Sequence, residues 1–250
     1  MDIDDFALRA EHVDAGYPGA TILNDVSFSV KHGEIFALLG PSGCGKSTMM
    51  RHMIGLSPVL AGRIEVAGME WSWKNRTAIR RRIGVMFQSG ALFGSMSVLE
   101  NVMLPLEEFT RMKSRERRDK AMHLLSLVGM ADAAGMMPSD ISGGMKKRTA
   151  IARAMALEPE ILFLDEPSAG LDPATSFALD ELILSLRGQS RMTFVIVTHE
   201  LASIFKIADR CAIFDRSRRC MVAEGSPHDL RTNCKDPFVT GFFNRGELAP

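Results

Sequence analysis

No stretch of the 250 residues approaches the roughly 18 to 20 consecutive apolar positions needed to span a bilayer. Residues 1–10 hold Asp2, Asp4 and Asp5 instead of the basic start of a secretory signal. These absences predict a soluble chain that stays in the cytoplasm. An excess of either charge is also missing, because thirty Lys and Arg balance thirty Asp and Glu. No global field would then hold the chain on a nucleic-acid backbone or an anionic membrane, so nucleic acid is not an expected partner. The four cysteines, Cys44, Cys211, Cys220 and Cys234, form no CxxC pair and have no histidine at metal-ligand spacing, which predicts reduced thiols. There is no repeat, low-complexity segment or long Pro- or Gly-rich linker.

What is present supports one domain, over residues 6–245. An apolar content of 46% can bury one sizeable core. Seventeen methionines serve as adaptable core filler or as a docking surface. Residues 22–30 alternate apolar and polar, as a half-buried strand does, and 34–39 form a compact apolar run. Further short runs at 83–87, 161–165, 193–198 and 211–215 are separated by stretches with helical periodicity. That spacing predicts an α/β fold with a largely parallel sheet flanked by helices. Residues 115–130 place Ala121, Leu124, Leu125 and Val128 on one helical face, within an inserted helical lobe at roughly 91–157.

Residues 40–48 read GPSGCGKST, matching the GxxxxGKS/T pattern between a buried strand and a helix. Gly40, Gly43 and Gly45 let the backbone of the loop, which also holds Pro41, Ser42 and Cys44, curl so that successive N–H groups point at phosphate oxygens. Lys46 is placed for the β- and γ-phosphates, Ser47 for Mg²⁺ and Thr48 for phosphate. Cys44 has neighbours that could lower its thiol pKa, but no chemistry is assigned to it.

Residues 161–166 read ILFLDE, delivering two carboxylates to the end of a strand where open α/β sheets bind ligands. Asp165 suits Mg²⁺, and Glu166 suits the attacking water, which it would orient or deprotonate. His199 ends the run FVIVTH and could hold the γ-phosphate, and Gln88 ends IGVMFQ with an amide able to bond both metal and water. Tyr17, the only tyrosine, could stack on adenine or lie as a half-buried surface ring.

Residues 141–145 read ISGGM and open a basic helix, KKRTAIARAMALEP, whose N-terminus is a second anion site. The order of phosphate loop, Gln88, SGG, ILFLDE, SAGLD at 168–172 and His199 closely resembles that of ABC transporter nucleotide-binding domains. The resemblance covers nearly the whole chain. It implies a P-loop NTPase with a RecA-like core, an antiparallel β subdomain and an inserted α-helical subdomain. It also implies a head-to-tail homodimer clamping two ATP molecules, each between one phosphate loop and the partner copy's Ser142, Gly143 and Gly144, with Asp172 coupling the sites. Ile141 and Met145 depart from the usual LSGGQ, but the serine and glycines remain.

FQSGALF, the following NV-x-x-PL and SGGM resemble the ATPases of MCE-type lipid transporters, including the system that maintains lipid asymmetry in Gram-negative bacteria. That resemblance implies integral-membrane permease subunits, a periplasmic MCE-domain protein and phospholipid cargo. It places the chain peripherally on the cytoplasmic face of the bacterial inner membrane. The alternatives are the ATPase of a small polar-solute importer and a non-transport ABC protein acting on nucleic acid or ribosomes. The C-terminal stretch 237–246, with Phe238, Phe242 and Phe243, would pack on its own domain or stabilise a dimer.

Overall fold

The computed structural model describes residues 6–244. Asp2, Asp4, Asp5, Gly246 and the expected domain end at 245 lie outside the described residues. The chain opens with two long strands, β1 (Phe6–Tyr17) and β2 (Ala20–Lys31), paired antiparallel. Leu23, Val26, Phe28 and Val30 turn inward, and the step of three from Leu23 to Val26 is absorbed at Asp25, where φ is +50°. The fully buried β3 (Ile35–Leu39) leads through the glycine-rich loop into α1 (Lys46–Met53). Next, β4 (Ala61–Val66) and β5 (Met69–Glu70) complete a four-stranded sheet in the order β2-β1-β4-β5.

The chain then runs through α2 (Arg76–Arg82) and β6 (Ile83–Met86) into α3 (Val98–Phe109), α4 (Ser114–Leu127) and α5 (Gly143–Ala154). Ala121, Leu124, Leu125 and Val128 are all buried, so the apolar stripe of α4 faces the core as its periodicity requires. Buried Asn101 on α3 shapes the preceding turn. Its side-chain amide donates to the carbonyls of Phe93, Met96 and Ser97, and its Oδ1 accepts from the Phe93 N–H at 2.8 Å.

After α5 come β7 (Ile161–Asp165), α6 (Pro173–Ser190), β8 (Thr193–Val197), α7 (Leu201–Ile207) and β9 (Arg210–Asp215). The remaining elements are β10 (Cys220–Gly225), α8 (Pro227–Asn233) and α9 (Pro237–Asn244). The second sheet is six-stranded, in the order β10-β9-β3-β8-β7-β6, and is parallel except at β10. Crossover helices cover it, so its inner strands read as continuous apolar runs. Its two faces feed separate cores. Leu162, Leu164, Phe194 and Ile196 pack with α3 to α6, while Phe36, Leu38, Phe163 and Val195 pack with α1 and the first sheet. Each such side chain contributes about 1.5–3 kcal/mol by leaving water. Met49, Met50, Met53, Met86, Met130, Met155 and Met192 are buried, which makes filler the main work of the methionines.

Candidate nucleotide site

The C-terminal ends of β3, β6, β7 and β8 share one edge, because all four strands run parallel. After β3, Gly40 holds φ +141°, and a Cβ there would lie 2.5 Å from the Phe214 carbonyl oxygen. Gly45 holds φ +106°, and a Cβ would meet Leu23 Cγ at 2.8 Å. Any side chain is strained at both positions, and the loop they shape lines an open cleft of about 630 Å³.

Gly40, Pro41, Ser42, Gly43, Gly45, Lys46, Ser47 and Thr48 all line this cleft, together with Tyr17, Gln88, Glu166 and His199. Cys44 does not. It lies behind the loop at 1% exposure, where burial pushes its thiol above the ordinary cysteine range despite the nearby Lys46 ammonium. The expectation that its neighbours could lower the pKa is thereby overturned. Lys46 folds back and donates from Nζ to the carbonyls of Gly40 at 2.8 Å and Pro41 at 3.1 Å. That bent ammonium has no carboxylate partner among these contacts and can turn to an anion in the cleft.

Ser47 Oγ donates to Asp165 Oδ1 at 3.5 Å. Burial and then the Glu166 charge push the Asp165 carboxyl above the usual range, against the pull of Ser47, Arg51 and Lys147. A carboxylate in that setting is stabilised by a cation, and the donors are hard oxygens. Among the described residues no group of three or more His, Cys, Asp and Glu gathers as a metal cage. One serine and one carboxylate instead suit Mg²⁺ carried in by phosphate, which takes few protein ligands.

Glu166 holds φ +46°, an uncommon conformation for a non-glycine residue, and its N–H donates to the Val197 carbonyl at 2.8 Å. His199 Nδ1 lies 2.9 Å from Glu166 Oε1 in hydrogen-bonding geometry. The other carboxylate oxygen, Oε2, is buried, lies equally 2.9 Å from His199 Nδ1 as an ion-pair contact, and accepts no hydrogen bond of good geometry. A buried acceptor of that kind is suited to take a hydrogen bond from a water in the cleft.

Ser142, Gly143 and Gly144 are not among the residues lining this cleft. Ser142 caps α5 by accepting the Met145 N–H at 3.3 Å. A Cβ on Gly144 would lie 2.6 Å from Thr175 Cγ2, so the signature glycines pack on the start of α6. There Asp172 caps α6, accepting the Thr175 N–H at 3.0 Å. The second anion site and the SAGLD segment are therefore neighbours. Three contributors carry no signal in the sequence. Ile22 and Phe242 line the cleft, and Lys147 donates to the Gln88 and Glu166 carbonyls. Phe242 stands on α9, whose Val239 and Phe243 are buried, so the C-terminal segment does pack on its own domain.

A glycine-rich loop between a parallel strand and a helix, whose lysine lines one cleft with a glutamate and a histidine, defines the class of P-loop nucleoside triphosphatases. The family model described as ABC transporter matches residues 23–169. The chain is 36% identical over 247 residues to the probable ribonucleotide transport ATP-binding protein mkl of Mycobacterium leprae, covering 98% of this chain and 70% of that protein. It spans 65% of the Mycobacterium tuberculosis counterpart, at 38% identity over 94% of this chain. It is 38% identical over 226 residues to the intermembrane phospholipid transport system ATP-binding protein MlaF of Escherichia coli, covering 89% of this chain and 83% of that protein. The ATP-binding cassette MJ0796, solved as a dimer in a post-hydrolysis state with ADP and phosphate, superposes with a TM-score of 0.79 at 30% identity, over 88% of this chain and 98% of that one. The chain belongs to the ABC transporter family and is an ATP-binding, ATP-hydrolysing member of it.

Proposed function

We propose that two copies of this chain work beneath separate integral-membrane permease subunits and drive lipid transport. No helix among the described residues is long and apolar enough to cross a membrane. The observation that carries the docking is an open apolar groove of about 610 Å³ beside Gln88. Phe87, Phe93 and Phe109 line it at 38%, 51% and 56% exposure, with Pro105 between them. Exposed aromatics around a groove are expected where a partner helix inserts. The chain would then sit peripherally on the cytoplasmic face of the bacterial inner membrane.

The likeness to MlaF supports phospholipid or another hydrophobic cargo, and it supports an MCE-domain periplasmic protein as a further partner. A second reading is favoured by the methionine import ATP-binding protein MetN of Carboxydothermus hydrogenoformans, 37% identical over 94% of this chain.

In the proposed cycle Tyr17 stacks on adenine and the loop from Gly40 to Thr48, Cys44 included, holds the phosphates through its backbone. Lys46 leaves the Gly40 and Pro41 carbonyls for the β- and γ-phosphates. Ser47, Asp165 and Gln88 would hold a magnesium ion, which would supply positive charge against the phosphates. Ser142, Gly143 and Gly144 of the second copy close over the γ-phosphate. Glu166 orients a water and accepts its proton as the water oxygen bonds to the γ-phosphorus and the bond to ADP breaks. His199 holds the γ-phosphate and anchors Glu166. Loss of phosphate then releases the clamp, and binding and release move the permease.

Affinity capture of the tagged chain from detergent-solubilised membranes, followed by mass spectrometry, tests this reading. A permease with an MCE-domain protein and phospholipid is expected. A permease with a solute-binding protein would transfer the assignment to polar-solute import.

A further inference from the structure

Helix α5 presents two buried or partly buried cations to backbone carbonyls on the cleft side of the parallel sheet. Lys147, 6% exposed, donates from Nζ to the Gln88 carbonyl at 2.5 Å and to the Glu166 carbonyl at 2.9 Å. Arg153 donates to the Ala91 carbonyl at 2.7 Å and to the Gly90 carbonyl at 2.8 Å. The backbones they hold are unusual, since Ala91 and Glu166 both have φ +46°. Such conformations persist only where surrounding contacts enforce them. Burial pulls the Lys147 ammonium down, while the charges of Asp165 and Glu166 oppose that pull. Keeping a desolvated cation there is costly, and its two carbonyl bonds are the charge-assisted kind that offset the cost.

We infer that Lys147 is a positioning residue that locks the Gln88 loop and the Glu166 loop to each other and to the signature helix. The same helix begins at Ser142, which the proposed dimer places against the second copy's nucleotide. One side chain thus carries the position of α5 to both the water-orienting carboxylate and the glutamine beside the permease groove. Any tilt of the helical lobe that moves α5 must break or drag these bonds, which makes hydrolysis dependent on lobe orientation within one chain. The inference rests on the catalytic roles proposed for Gln88 and Glu166. Lys147 itself touches no substrate.

The test compares Lys147→Met, which keeps the length without the charge, with Lys147→Gln, which keeps two N–H donors. Amide exchange of the full chain without nucleotide reads the loops directly. Lys147→Met is expected to speed exchange roughly tenfold in both residues 87–91 and 166–169, with the phosphate loop unchanged. In steady-state hydrolysis kcat falls roughly tenfold while KM for ATP stays within about twofold, and Lys147→Gln recovers much of both effects. Faster exchange in one loop only, or in neither, overturns the inference, as does a rise in KM that accounts for the whole loss. Glu166→Gln in parallel separates the two readings. Normal hydrolysis by that variant sinks the catalytic assignment, while the exchange rates of the two loops still decide whether Lys147 locks them.

Discussion

His199 and Glu166 meet across the ends of neighbouring parallel strands, with the imidazole Nδ1 2.9 Å from the carboxylate. The imidazole lies 2.9 Å from both oxygens of a carboxylate whose backbone is strained, and the second oxygen accepts no hydrogen bond of its own. Replacing His199 with Ala therefore frees Glu166 as well as removing the proposed γ-phosphate contact. Steady-state hydrolysis is expected to fall by roughly 10² or more, with equilibrium ATP affinity little changed, because the phosphate loop is untouched.

Ser142→Arg places a bulky charge at the start of α5 and also removes the cap that accepts the Met145 N–H. The cap alone is worth about 1 kcal/mol, so the fold survives. Nucleotide binding by the single chain should persist while ATP-dependent pairing disappears, as read by light scattering. Pairing of this variant would exclude Ser142 from the closed site.

Phe109→Asp introduces a charge into the apolar groove beside Gln88 without reaching the phosphate loop. Capture of membrane partners should drop at least tenfold, a loss on the scale of a truncated interface anchor. ATP binding by the isolated chain should match the parent.

Gly84 lies on β6, where a Cβ would sit 2.2 Å from the Ala154 carbonyl oxygen and 2.6 Å from Leu162 Cδ1. Gly84→Ala must push β6 from the end of α5, at a cost of about 1–3 kcal/mol. Thermal unfolding should move down by about 2–4 °C for each kcal/mol lost.

The phosphate loop and the strand-end acids are legible in the sequence because their chemistry is local: GPSGCGKST and ILFLDE each contain both the scaffold and the functional group. Apolar runs locate the parallel strands for the same reason. The sheet β2-β1-β4-β5 is not legible from periodicity, because the pairing of β1 with β4 joins distant segments and register shifts, as at Val13 and Asp14, break the alternation. Only the family resemblance points to it. Lys147 sits in the basic helix that ISGGM opens, where the sequence assigns it no role of its own. Its partners are backbone carbonyls, which leave no residue-type signal. Phe242 reaches the cleft from the far end of the chain, and only the packing of α9 brings it there.

Glu166→Gln with Mg²⁺ and ATP, followed by light scattering together with the ADP-to-ATP ratio of the bound nucleotide, tests the proposed clamp most directly. A stable dimer that retains intact ATP is expected, with turnover reduced by roughly 10² to 10³. A variant that stays monomeric at saturating ATP, or that hydrolyses near the parent rate, would contradict the clamp.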